Sequence, residues 1–495
     1  MERLILVVDF GTSNVHVNMV NCENGEILFS VSEKYNMICP QSGYVELDPD
    51  EMWEKSQTGV EKIIADMYLS GKAYRIEALS FSFFGDNIIP ADEKGNALYH
   101  LIQCFDVRGK SQAEQLNLAV GEEKLIQVTG DVCESTSCSS KIRYILEEMP
   151  DVGRHAVRFY NIQQFILHRL GLPPVNDLTM ACTKRMVDLE HGEWYEPLLK
   201  EVGITKHQLG RIVNSQDVIG KVDSYGRVKF PEPVSVIPGA HDCDCGWLGV
   251  GVTDEKQDVI GNITGTFEHF GFLASGYRNV YASHPQWGLY SYRGPLKDTS
   301  VMLTAFDTSG ALVEWFMREI YRDTSQAAYA RLWEQAEFTG KNMVRIRPDF
   351  GANAGCIEGL NLGASLTDIF AGIMEALTFE SRRLLEICGK AKKGRTGRVR
   401  IGGGGAKSAD WVQLRANITG KTYECMEENE VSSIGAAILA AAAVGIYPDV
   451  NSAAEHMVQI RKVYHPDSKV YNLYQERYQE FIGTYRQPHN TECGK

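Results

Sequence analysis

The stretch Leu4-Ile5-Leu6-Val7-Val8-Asp9-Phe10-Gly11-Thr12-Ser13-Asn14 decides the architecture. An unbroken apolar run ends in a carboxylate, a glycine and two hydroxyls. Such a run reads as a strand buried on both faces. Val15, Val17 and Met19 then alternate with His16 and Asn18, the period of a half-buried strand. Glu23-Asn24-Gly25 turns the chain, and Ile27-Leu28-Phe29 opens a third strand.

Further along, Asp48-Pro49-Asp50-Glu51 is a helix start: Asp48 can cap, Pro49 suits the first helical position and Glu51 sits in the first turn. Met52, Val60, Ile63, Ile64 and Met67 follow at helical spacing, and Ala78–Phe84 returns to a strand. Continued alternation of strands and helices gives an α/β class. After the glycine-rich run Gly246–Gly251, Val259–Thr264 reads as a strand ending in Gly265-Thr266-Phe267, an echo of Gly11-Thr12-Ser13. Two strand–Gly-Thr turns suggest duplicated domains facing one ligand. Ser365-Leu366-Thr367-Asp368 is a capping-box start. The basic residues Lys390, Lys392, Lys393, Arg395, Arg398 and Arg400 read as a solvated loop. Ile434–Val444 is alanine-rich and reads as a buried helix, and Arg486–Lys495 as a frayed polar end.

With 495 residues, 44% hydrophobic and 23% charged, the chain has material for two large cores. A net charge of -14 argues against nucleic acid or an anionic membrane as the main partner. No apolar run approaches the ~18 residues of a membrane span, and Leu4–Val8 is too short for a signal-peptide core, so a cytoplasmic protein is expected. The 12 cysteines contain no CxxC pair and read as reduced thiols. His241-Asp242-Cys243-Asp244-Cys245 has metal-ligand types, but adjacent and alternate ligands rarely converge on one zinc ion.

Five groups can carry chemistry. Asp9 with Gly11, Thr12 and Ser13 could cradle phosphates, because glycine lets the backbone approach and hydroxyls donate to anionic oxygens. Asp9 could hold Mg²⁺ through water. Judged alone, these residues read first as an ordinary hairpin turn. Gly265-Thr266 is a second, shorter phosphate candidate. Gly402–Gly405 with Ala406, Lys407 and Ser408 allows close approach of a flat ring or a phosphate; its order is neither that of a Walker A loop nor that of a dinucleotide fingerprint. Asp242, in Gly239-Ala240-His241-Asp242, is the choice for a base toward an attacking hydroxyl, with helix capping as the alternative. Asp244 would point elsewhere on either a helix or a strand. Asp86, Asp106 and Arg108 suit a polyhydroxy ligand.

Together these pieces resemble the FGGY carbohydrate kinases, in the family's order from residue 4 to about 450. Asp9–Asn14 resembles the opening phosphate motif, Gly85-Asp86-Asn87 the first sugar-contacting turn and Asp106-x-Arg108 the family's Asp-x-Arg. Gly239–Asp242 resembles the segment of the catalytic aspartate, and Gly265-Thr266 the second phosphate loop. Gly310 with Trp315 resembles a helix region near the nucleotide, and Gly404–Ser408 with Trp411 the adenosine motif. The resemblance implies an α/β fold of two actin/Hsp70-like (ribonuclease H-like) domains with a cleft between them. Residues 1–249 would bind sugar and hold the catalytic Asp242, and 250–480 would bind nucleotide. It implies ATP and Mg²⁺ as cofactors and phosphorylation of a small sugar or polyol. Asp86, Asp106, Arg108 and Asp242 would bind that acceptor. Gly11, Thr12, Ser13, Gly265, Thr266, Gly310, Gly404, Gly405 and Ser408 would bind ATP, and Asp9 the metal. It leaves the oligomeric state open, with a homodimer among the options. Departures cluster on the acceptor side: Cys104 replaces a usual aromatic, Tyr144 a usual Trp and Cys138 a small hydroxyl or Pro, while Phe267 replaces a Ser of the second phosphate loop. Two other readings stand beside this one, a partner-moving ATPase of the same fold and a non-catalytic sugar-binding regulator.

Overall fold

The computed structural model describes residues 1–265, 267–306, 308–348, 355–392 and 396–485, with backbone alone at 484 and 485. Thr266, Lys393, Arg395 and the polar end from Arg486 lie outside the described residues. The chain forms two compact units. The first comprises residues 1–255, 273–302 and 430–459, and the second 256–272, 303–429 and 460–495.

In the first unit, one sheet runs in the order Gly220–Tyr225, Val228–Val236, Tyr74–Phe83, Glu2–Phe10, Asn14–Asn21 and Ile27–Lys34, with Ala240–His241 also paired to Tyr74–Phe83. The N-terminal strand is central, and Leu4 to Val8 are wholly buried. Leu4, Leu6 and Val8 pack in one cluster with Met52, Val60, Ile63, Ile64 and Met67 of the helix Pro49–Leu69. Asp48 caps that helix by accepting from the Asp50 N–H at 2.9 Å. Ile5 and Val7, equally buried, lie outside that cluster, and helix Val431–Ala443 packs on the same strands. That helix also lies against helix Asp242–Gly249 at backbone contact. A Cβ on Gly435 would fall 1.8 Å from the Cys245 carbonyl oxygen, and one on Gly249 1.8 Å from that of Val431. Only glycine allows such an approach.

The second unit is built on adjacent strands Val259–Thr264, Arg398–Gly403, Thr422–Met426 and Ile460–Tyr464, together with residues 268–272 and 303–306 of two further strands. Its long helix, Leu366–Ala391, starts at a capping box of Ser365 and Asp368. The buried Arg415 guanidinium donates to the equally buried Glu268 carboxylate, which also accepts from Ser309 Oγ at 2.7 Å. Lys392 departs from the solvated loop expected of the basic residues. It is 7% exposed, and its ammonium donates to the carbonyls of Gln257 and Val259, strand-end acceptors that the local sequence does not reveal. Arg398 and Arg400 pair with Glu424. Among the described residues, no helix is long and apolar enough to cross a membrane.

Candidate active site

Three parallel strands end side by side. Asp9 stands opposite Ser82, and Phe10 opposite Phe83; His241 pairs with Phe83 from the other side. The residues that follow these strand ends therefore leave one edge of the sheet: Gly11–Ser13, Gly85-Asp86 and Asp242. In open α/β sheets, ligands gather outside the carboxyl ends of parallel strands. Gly11–Ser13 is a hairpin turn, closed by the Gly11 N–H donating to the Asn14 carbonyl at 2.9 Å, so both readings of this stretch describe the same loop. The Tyr35 hydroxyl donates to the carbonyls of Gly11 and Asn14 from below. Asp9 is 8% exposed, and burial pushes its carboxyl up to about 7, with Asp242 and Glu430 adding like charge. A carboxylate so crowded by negative charge suits a divalent cation, which would reverse that trend.

Asp242 opens helix Asp242–Gly249, and its side chain is 34% exposed. One carboxylate oxygen, Oδ1, accepts from the Cys243 N–H at 2.7 Å and lies 3.2 Å from His241 Nε2. Among the described residues, no hydrogen bond engages Oδ2. The Asp242 carbonyl accepts from Ser432 Oγ at 3.1 Å, tying the residue to helix Val431–Ala443. Asp244 points inward as expected, but it is not idle: its Oδ2 lies 3.1 Å from His241 Nδ1. Burial, with the charges of Asp242 and Asp244, lifts the Cys243 thiol well above its ordinary value. His241, Asp242 and Cys243 bring ligand atoms within 4.8 Å of one another. With the ring held between two carboxylates and the thiol kept protonated, the cluster reads as a network of ion pairs and hydrogen bonds.

At the next strand end, Asp86 takes a left-handed backbone, φ 52°, unusual for a residue with a Cβ and often a mark of functional sites. Its Oδ1 lies 3.8 Å from Arg185 Nε, and Arg185 also pairs with Asp131 and Glu134. Lys141, wholly buried, donates to the Asp86 carbonyl at 2.9 Å and the Gln103 carbonyl at 2.7 Å. Gln103 Nε2 in turn donates to the Thr12 carbonyl at 2.8 Å, so the Gly11–Ser13 turn and the Gly85-Asp86 turn share one network. Burial holds the Lys141 amine below its ordinary pKa. Asn87 is used internally, its amide donating to Phe84 and accepting from Ile162. Asp106 and Arg108 are buried as partners of each other and of Glu46, with Arg108 Nη2 at 2.7 Å from both carboxylates. The guanidinium lies 4.3 Å from the Tyr44 ring.

In the second unit, the glycine turns adjoin. The Gly310 N–H donates to the Gly265 carbonyl at 3.1 Å, and Gly265 itself faces open space. Gly403, at φ 90°, leaves no room for a side chain: a Cβ would fall 2.3 Å from the Thr264 carbonyl oxygen. Gly404 is open, Gly405 lies against the Thr264 hydroxyl, and the Ser408 hydroxyl caps helix Ala409–Thr419. Gly265, Gly310, Gly404 and Gly405 are thus gathered at the ends of neighbouring strands; Thr266 lies outside the described residues. Sequence reasoning passed over Lys141, Gln103 and Arg185, and weighed His241 only as a metal ligand. The only signal for Lys141 was a cation set in the small-residue run Cys138-Ser139-Ser140. Arg185 gave none, because its left-handed backbone, φ 55°, is a tertiary property.

The N-terminal domain of the FGGY family of carbohydrate kinases matches residues 4–249, and its C-terminal domain residues 291–444. A xylulose kinase of Staphylococcus epidermidis is 24% identical, covering 98% of this chain and 97% of its own length. An L-fuculokinase of Haemophilus influenzae is 25% identical over 94% of this chain and all of its own. The fold is shared with the crystal structure of Plasmodium falciparum glycerol kinase with ADP. The TM-score there is 0.84 at 18% identity, covering 98% of this chain and 99% of that one.

Proposed function

The chain belongs to the FGGY family of carbohydrate kinases, and from that premise we propose that Asp242 is the base of its phosphoryl transfer. The enzyme uses ATP to phosphorylate a sugar or polyol. In this reading, residues 1–249 carry the acceptor site and the base, and 250–480 the nucleotide site. Asp242 Oδ2 takes the proton of the acceptor hydroxyl as its oxygen attacks the γ-phosphorus, and ADP departs. Asp86 meets the acceptor at the strand end. Asp106 and Arg108 complete the acceptor side from within, holding Glu46 and Tyr44. Gly310, Gly404, Gly405 and Ser408 receive the adenosine. Gly11, Thr12, Ser13, Gly265 and Thr266 take the phosphates. Asp9 would hold Mg²⁺, and the ion would neutralise charge on the transferring phosphates. The relatives matched are kinases, which disfavours a partner-moving ATPase or a silent regulator.

One observation supports the choice of Asp242 above the others: a half-open carboxylate at the strand edge, with one oxygen fixed and the other unengaged. The test is ADP release with D-xylulose, L-fuculose, glycerol and gluconate in turn. Asp242→Asn is expected to cut turnover on the best acceptor by about 10²–10⁴-fold, the weight of a general base. A variant keeping more than half the wild-type rate removes Asp242 from the role.

A further inference from the structure

The residue before the base sits between two carboxylates. His241 Nε2 lies 3.2 Å from Asp242 Oδ1, and Nδ1 lies 3.1 Å from Asp244 Oδ2. The Nδ1 contact is a hydrogen bond and the Nε2 contact an ion pair; a neutral imidazole offers one N–H and no charge, whereas an imidazolium answers both carboxylates. Asp244 is wholly buried. Its other partner is the Tyr292 hydroxyl, 3.4 Å from the same Oδ2, and its Oδ1 has no hydrogen-bond partner among the described residues. The ring is the nearest cation to this carboxylate, so neutralising it would leave a buried charge uncompensated, a costly state. The backbone that carries the ring is also fixed in place. The His241 backbone N–H donates to Thr179 Oγ1 at 2.8 Å, and that hydroxyl donates to Asp177. Gly85 lies against the ring edge, where a Cβ would come 3.0 Å from Cδ2.

We propose that His241 is a positioning residue for the base: held as an imidazolium by Asp244, it pins Asp242 Oδ1 and leaves Oδ2 to take the acceptor proton. The inference rests on the assignment of Asp242 as the base. His241 forms and breaks no covalent bond; its proton stays on the ring through turnover. The charged and titratable groups around the ring are Asp242 and Asp244 on its own segment and Asp86 on the neighbouring turn, backed by Arg185. Tyr292 stands behind Asp244, and Asp177 behind Thr179. Burial opposes the ring's charge, but the flanking carboxylates outweigh it and raise its pKa to about 9. The arrangement therefore holds at neutral pH and loosens as pH rises through that value, when the ring loses the charge that pairs it with Asp242.

The test uses the full chain labelled with ¹⁵N-histidine. Two-bond ¹H–¹⁵N spectra are followed from pH 6 to 10, with the His241 signal assigned from His241→Gln. The wild-type ring is expected to titrate near 9. In Asp244→Asn the midpoint should fall by about one pH unit or more, since one flanking charge is gone. ADP release, with whichever of D-xylulose, L-fuculose or glycerol is turned over, should lose rate above the same midpoint. His241→Gln should lower kcat by about 10-fold or more with little change in acceptor KM, the mark of an interaction made in the transition state, and should abolish the alkaline loss. A wild-type ring that is neutral at pH 7.5 refutes the proposal, whether or not Asp244→Asn folds. So does a His241→Gln profile that keeps the wild-type alkaline limb. If Asp242→Asn is inactive while the ring proves neutral, only the His241 role fails. If Asp242→Asn is fully active, the base assignment fails first.

Discussion

Gly435→Ala adds one methyl group where helix Val431–Ala443 meets helix Asp242–Gly249. The new carbon would stand 1.8 Å from the Cys245 carbonyl oxygen, 2.5 Å from its carbon and 2.9 Å from its Cα. These are backbone atoms, so no rotamer change relieves the clash. Ordinary contact needs about 3.5 Å, and the two helices must part by more than about 1 Å. Overpacking of this kind costs about 1–3 kcal/mol, which lowers the melting temperature of a unit this size by about 2–10 °C. The functional cost should be larger. Cys245 is three residues from Asp242, and the Asp242 carbonyl is held by Ser432 on the moving helix. A misplacement of ~1 Å at a reacting group costs about 10²-fold. We expect kcat/KM to fall by about that factor while the first unit still folds. Gly483→Ala, where a Cβ meets open space, is the control and should change neither quantity. Calorimetry and ADP release on the same preparations decide the matter. If Gly435→Ala melts and turns over like the wild type, the close helix contact does not set the position of the base.

Two further predictions concern stability. Glu268→Gln leaves the fully buried Arg415 guanidinium without its counter-charge and should cost about 3–5 kcal/mol, read as a lower urea midpoint. The double replacement Glu268→Met with Arg415→Leu should cost less than Glu268→Gln alone; a double variant that is worse than the single would contradict this account. Lys184, wholly buried and donating to the Phe159 carbonyl and Gln164 Oε1, has its pKa pushed down to about 7 by burial. Between that value and the ordinary ~10.4, the unfolded chain binds a proton that the folded chain lacks, so folding stability rises with pH. Urea titrations across this window should show the wild type gaining on Lys184→Met. A stability difference that stays flat from pH 7 to 10 would sink the idea.

Much of the local structure is written in short stretches of chain. The apolar run Leu4–Val8, the Asp48-Pro49 start and the Ser365 capping box each specify an element through neighbours in sequence, and the structure carries all of them. Asp9 and Asp86 were legible as candidates because each ends or follows an apolar strand, and Asp242 because it stands beside a glycine turn. Their convergence was not, since strand pairing joins residues more than seventy positions apart. Lys392 shows the same limit: its charge suggests solvent, while its partners are the carbonyls of Gln257 and Val259 on a distant segment.

The sequence by itself determined the alternation of strands and helices, the glycine turn that closes the leading strand, and a short set of candidate carboxylates. Those follow from side-chain periodicity and backbone freedom, which act over a few residues. Only the tertiary structure decided that residues 430–459 return to the first unit, that Gly249 and Gly435 meet there, and that His241 bridges Asp242 and Asp244. Several buried helices share one apolar pattern. Which of them covers a given sheet face, and which buried charge a given ring must answer, is settled by packing and desolvation across the folded chain.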